Sequence, residues 1–369
     1  MDAPPNTPRR GFTLVELLVA LALFSLLVLA VVRLLDGSLR VLGESEGQRD
    51  RLALELVTSE WLLGDLAGLA SGEDGDLLVD WWTFDQNGDG IASRPWPRLR
   101  LVRRAAPRDL LRLGLRQGSA DEVEQDLGVG RLLESDALVE VVWCVQPAPR
   151  EAGEPSRGDG LLLRGERVLS GAPEDSFFAA NFFDGAGAPP GAAAQELARG
   201  LLWFDLLLAD ETSLLYGEWQ PGTELGDVAR AWDGWGLGRP DAERHNFNRT
   251  LPQPTTGDQA LRLPRRMRVE FEFEPPRERE RRPKLTAEID AEARFLPLDA
   301  PTRLPEAGTL LLLGEEWVEL LSASSSGAQV NRAQRGTRAA VHRPGERLQW
   351  GQGFAREFAP AVRREDWRR

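Results

Sequence analysis

From Phe12 to Leu35 the chain is almost entirely apolar, with Glu16, Ser25 and Arg33 as its main polar interruptions. A run of this length crosses a bilayer core of roughly 30 Å as one helix, because a helix satisfies its own backbone hydrogen bonds. Glu16 is the anomaly. A carboxylate near the start of a membrane helix costs roughly 2.5–3.5 kcal/mol on insertion scales, so it needs a partner. Cleavage after Gly11 would place the new amine of Phe12 one helical turn from Glu16, on the same helix or a neighbour, and so create the missing counter-charge. An ordinary signal anchor leaves Glu16 unexplained. A secretory signal peptide has a shorter apolar region, about 7–15 residues, with the small cleavage residue after it rather than before. Arg9 and Arg10 favour a cytoplasmic leader, a contrast weakened by Arg33 and Arg40 on the far side.

Gly11, Phe12, Thr13, Leu14 and Glu16, set between a short polar leader and an apolar helix, resemble the N-terminus of type IV prepilins and type II secretion pseudopilins. The resemblance implies that a prepilin peptidase removes residues 1–11 and methylates Phe12. It also implies that Glu16 aligns each subunit with the next during assembly.

The body is large enough for a core of its own. The 369 residues are 42% hydrophobic, which allows one membrane helix plus one large or two modest soluble domains. A net charge of −13 argues against a nucleic-acid-binding surface. Cys144 is the single cysteine, so no intramolecular disulfide can form, and its neighbours Val142, Trp143 and Val145 mark it as a buried small hydrophobe. With only His245 and His342, a zinc site or a histidine-based triad is poorly supplied.

No proline occurs between Gly11 and Arg94, so the membrane helix can continue outward. Leu52, Leu56, Leu63 and Leu66 recur at helical spacing, with Glu55, Glu60 and Asp65 among the polar positions, which predicts a helix to about Leu69 with a break near Asp36-Gly37 or between Gly43 and Gly47. The period then changes to two. Leu99 and Leu101 alternate with Arg98 and Arg100; Val139, Val141 and Trp143 form another strand, with Leu161 and Leu163 beginning its partner. Met267, Val269, Phe271 and Phe273 give one buried face opposite Arg266, Arg268, Glu270, Glu272 and Glu274. Segments 147–160, 185–194 and 236–257, rich in Gly, Ala and Pro, read as surface excursions.

Trp61 to Leu66, the paired stretches Val142 to Val145 and Leu162 to Arg164, the tryptophans Trp219, Trp232 and Trp235, and Leu263-Pro264 resemble the J-type minor pseudopilins of type II secretion. The implied fold is α+β: a long N-terminal helix, transmembrane in its first half, packed on an antiparallel pilin-like β head. Its segments are a transmembrane helix at 12–35, the helix continuation at 36–70 and the head at 71–300. Glu315 to Leu320, Arg332 to Thr337 and His342 to Gly345 are similar to a small β module of phage-tail-like proteins, so 301–369 is expected as an appended β-rich unit. The implied partners are minor pseudopilins of the I, K and H types, the major pseudopilin and the prepilin peptidase. The head would be periplasmic on an inner-membrane anchor. A minor pilin of a type IV pilus or competence filament shares the N-terminus, and a binding protein exported on a pilin-like signal is a reading from another class.

Asp85, Asn87 and Asp89 stand at positions one, three and five of a loop with Gly90 at six, the spacing by which a tight loop wraps Ca²⁺. Trp96 stands at position twelve in place of the usual Glu, and the same residues also make a plain Asx and Gly turn. Calcium is therefore the one metal the sequence suggests. Most of the twelve tryptophans suit a core, and an exposed subset would suit a protein interface. Acidic pairs such as Glu315-Glu316 read as solvated surface, and no enzyme is expected.

Overall fold

The computed structural model describes residues 14–71, 75–82, 95–105, 138–147, 158–169, 176–177, 193–209, 228–229, 232–233, 263–264, 266–275, 279–362 and 367. The chain divides into two compact units, Met1–Leu54 and Glu55–Arg369.

Helix α1 runs unbroken over Leu14–Ala67, 54 residues, so neither Gly37 nor Gly43 to Gly47 ends it. The absence of proline leaves every main-chain donor in the ladder, and isolated glycines cost a helix only about 1 kcal/mol each. Its character changes along its length. Leu18, Leu21, Phe24, Leu27 and Val31 are all exposed. These positions point in several directions around the axis, so no single face is set aside for a sheet. From Glu55 onward burial becomes one-sided: Glu55, Thr58, Leu62, Asp65 and Leu66 are buried, and Leu56, Val57 and Leu63 are exposed.

The larger sheet of the second unit is antiparallel and nine-stranded. Its strands are β1 (Leu77–Trp82), β2 (Trp96–Arg104), β3 (Leu138–Pro147), β4 (Gly160–Val168), β5 (Ala193–Ala209), β6 (Val228–Ala229), β7 (Trp232–Asp233), β8 (Arg266–Phe273) and β14 (Gln352–Phe358). Their order is β14-β8-β5-β4-β3-β2-β1-β7, with β6 on β5. Register opposes Leu99 to Trp143 and Trp143 to Arg164, which puts Leu99, Leu101 and Arg103 on the face that carries Trp143, Arg164 and Glu166. The other face gathers Val142, Cys144, Leu163 and Phe177. There burial pushes the Cys144 thiol well above its usual range, as suits an inert core residue. The apolar face expected in β8 is buried, at Met267, Val269, Phe271 and Phe273, but on the opposite face Glu272 and, just past the strand, Glu274 are buried as well.

A second sheet of five strands, β9 (Phe295–Pro297), β10 (Leu310–Leu313), β11 (Glu316–Ser324), β12 (Gly327–Gln334) and β13 (Leu348–Gln349), has the order β13-β10-β11-β12-β9. The β10–β11 hairpin turns through Gly314-Glu315, with Gly314 at φ +57°, the positive angle a two-residue turn needs at its first position. Leu296, Leu311, Val318, Leu320 and Val330 fill its own small core. The two sheets meet where Leu202 of β5 packs with Leu312 and Trp317. Arg335 lies over both Trp203 and Trp317, at 4.5 and 4.1 Å, and bonds Glu272 of β8 at 2.8 Å.

Three expectations about the fold are corrected. The unit is mostly antiparallel sheet rather than a long helix laid on a head: only Glu55–Ala67 of α1 belongs to the sheet-bearing unit. The physical reason is that the first part of the helix, to Leu35, is apolar on nearly every side and sets aside no one face for a sheet. The buried face of that short stretch also departs from the one the leucines predict: Leu66 is buried and Glu60 exposed as expected, but Leu56 and Leu63 are exposed while Glu55 and Asp65 are buried against arginines. Finally, the C-terminal segment is not an appendage, because β14 returns to the larger sheet and pairs with β8 along its whole length.

Candidate assembly segment

The N-terminal segment begins with Gly11 and Phe12, which lie outside the described residues. Glu16 lies in the first turns of α1, and its side chain is likewise outside them. Ser25 donates its hydroxyl to the Leu21 carbonyl at 2.9 Å, so this polar group is satisfied within the helix and needs no water. Leu14 is 78% exposed, and exposure continues through Leu18, Leu21, Phe24, Leu27 and Leu34. Among the described residues, no helix is long and apolar enough to cross a membrane. An uncovered surface of this kind is far larger than scattered exposed leucines and marks a site of interaction.

The far end of the helix is fixed by charge. Asp65 accepts from Arg103 Nε at 3.0 Å, from Arg164 Nε and Nη2 at 2.8 and 2.6 Å, and from Trp143 Nε1 at 2.8 Å. Arg164 also donates to Glu166 at 2.6 Å and lies 4.6 Å over the Trp61 ring. Two carboxylates thus meet two guanidiniums, all buried, so the cluster is neutral in total and positions the last turns of α1 across β2, β3 and β4. Nearby, Arg356 of β14 reaches Glu55 at 2.5 Å.

A second buried cluster lies in the smaller sheet. Glu316 accepts from Arg332 Nε and Nη2 at 2.7 and 2.6 Å, and from the main-chain N–H groups of Ala333 and Ala340 at 3.0 Å each. Burial pushes its carboxyl up, but these donors and His342 together outweigh that and hold it at about 2. Periodicity carries no hint of either cluster. The available signal was charge where it should not be, as in Arg164, Glu166 and Arg167 within a strand that starts Leu161-Leu162-Leu163.

Asp85, Asn87 and Asp89 lie outside the described residues, and among the described residues no group of acidic, histidine or cysteine side chains could hold a metal ion. Trp96, the residue at the twelfth loop position, is buried as the first residue of β2.

Residues 6–32 match the prokaryotic N-terminal methylation motif. No curated protein and no solved structure matches the chain. The matched residues take in Gly11, Phe12 and Glu16, and the chain therefore carries a type IV prepilin-like signal.

Proposed function

We propose that the chain is a minor pseudopilin of a type II secretion system, of the J type, processed after Gly11 and built into a periplasmic pseudopilus from an inner-membrane anchor. The observation that carries this reading is a methylation signal running directly into a helix whose apolar side chains are uncovered. Lipid first, and then the helices of other pseudopilins, would cover that surface. Farther along α1 the exposed positions Ala53, Leu56, Glu60, Leu63 and Ala67 alternate by three and four, the spacing of a helix-packing seam. The protein's work on this reading is assembly with I-, K- and H-type minor pseudopilins and the major pseudopilin, with no bond-making by the head.

Two measurements test it together. Intact-mass analysis of the assembled protein should find a chain that begins at a methylated Phe12, and mass spectrometry of crosslinked, copurifying proteins should find other minor pseudopilins. Met1 retained in the assembled form would defeat the processing step. Copurification with type IV pilus or competence components alone would place the chain in that filament instead.

A further inference from the structure

His342 is 3% exposed and lies in the loop from β12 to β13, with a carboxylate at each ring nitrogen. Nε2 is 2.9 Å from Glu316 Oε2 and Nδ1 is 2.8 Å from Glu346 Oε2. A neutral imidazole has one N–H, so it satisfies one carboxylate and turns a lone pair on the other; the imidazolium donates to both. The charged groups around the ring are Glu316 from β11, Arg332 from β12 through its bond to Glu316, and Glu346 from the turn before β13. On the β10 side stands Gly314, where an added Cβ would lie 3.5 Å from the ring and 3.2 Å from Glu346. The main chain of His342 exchanges both hydrogen bonds with Ile289.

The end of β12 and the start of the loop that His342 closes are held in a costly conformation. Ala333 and Arg335 have φ of 57° and 50°, left-handed values that disfavour side chains and cost of order 1–3 kcal/mol each. Arg335 is the residue gripped by Trp203, Trp317 and Glu272.

We infer that His342 is a proton-operated latch: as the imidazolium it ties the turn 342–346 to Glu316 through one ring nitrogen and to Glu346 through the other, and on losing its proton it gives up one of these bonds and loosens that turn. Burial pushes the imidazole down, but hydrogen bonds and charge from Glu316 and then Glu346 outweigh it, so its pKa is raised above 6.5. A proton held more tightly in the closed state favours closure fully below 6.5, and this contribution is lost as pH rises through the raised folded value. Arg332 bonds Glu316 and the Ala340 carbonyl, and the Ala340 N–H bonds Glu316, so the rest of the loop stays tied and the loosening is confined to the turn that carries Glu346.

The test uses the full chain in detergent with His245→Gln, which leaves one imidazole to observe. Its ring resonances should titrate above 6.5. Hydrogen exchange of 342–346, corrected for the intrinsic rate, should show an opening constant that rises about tenfold per pH unit between 6.5 and that midpoint and then levels. Glu346→Gln removes one carboxylate and should move the titration to lower pH, so that the rise in opening levels sooner and is smaller. His342→Gln should leave exchange flat with pH; should that variant fail to fold, Glu346→Gln carries the comparison alone. Titration at or below 6.5, or protection of 342–346 that does not change with pH, would overturn the latch.

Discussion

Replacing Asp65 with Asn keeps the side chain's size and removes its charge. In the native cluster Asp65 and Glu166 offset Arg103 and Arg164, whose side chains are 6% and 0% exposed. The variant buries one uncompensated positive charge, retains a single oxygen for three donor groups, and turns an amide N–H₂ toward a guanidinium. Breaking a buried pair by removing one partner costs about 3–5 kcal/mol. Glu166 keeps its bond to Arg164 at 2.6 Å and its approach to Arg103 at 3.6 Å, which places the expected loss toward the lower end. At about 2–4 °C per kcal/mol for a large domain, the melting temperature should fall by roughly 6–15 °C. The assay is thermal unfolding followed by tryptophan fluorescence, since Trp61 and Trp143 both touch the cluster. The paired change Asp65→Leu with Arg164→Leu restores neutrality and should recover much of the loss, because an apolar pair often replaces a buried ion pair at little cost. A single variant within about 1 kcal/mol of the parent, or a double variant no better than the single, would refute the claim that this cluster holds the helix end.

Gly158→Ala should destabilise the contact between the sheets by about 1–3 kcal/mol, because the new Cβ would fall 2.0 Å from the Gly314 carbonyl oxygen; limited proteolysis should cut the smaller sheet sooner. Acid should loosen that sheet through Glu316: held at about 2 against an ordinary 4.5, it contributes roughly 3 kcal/mol above pH 4.5 that is lost as pH falls through about 2, and Glu316→Gln should abolish this dependence in an acid titration followed by circular dichroism. Glu16→Ala and Glu16→Gln should both leave processing intact and reduce incorporation into the filament, if the carboxylate pairs with the Phe12 amine of a neighbour. Crosslinking to pseudopilins at parental levels in both variants would rule that pairing out.

The strands and the N-terminal signal were legible because each rests on local pattern. Alternation marked β2, β3, β4 and β8, and the run from Phe12 with Glu16 inside it marked the signal that residues 6–32 match. What could not be read was the partner of each charge. Leu56 and Leu63 form a good apolar stripe by spacing, yet they are exposed, because Asp65 on the opposite face meets Arg103 and Arg164, which lie 38 and 99 residues away. A sequence pattern weighs side chains one at a time, whereas the burial of Asp65 depends on donors brought together by strand register. His342 was missed for the same reason: its significance lies in Glu316 and Glu346 at its two nitrogens rather than in its neighbours along the chain.

The return of β14 to β8 also bears on the order in which the protein is made. The smaller sheet is inserted between two adjacent strands, and its ends are clasped: Gln349 donates to Glu274 at 3.2 Å and the Gly351 N–H to Glu272 at 3.1 Å. Until that insert closes, joining β14 to β8 means closing the whole intervening loop, and every doubling of loop length adds about 0.6 kcal/mol of entropy. Once the insert is folded its two ends are already side by side, and zippering β14 costs little more than a local hairpin. A chain emerging from a ribosome or a translocon therefore leaves the β8 edge bare until Gln352–Phe358 appear. Loss of Gln352–Phe358 would make that edge permanent, a row of open main-chain donors and acceptors on which another chain could aggregate.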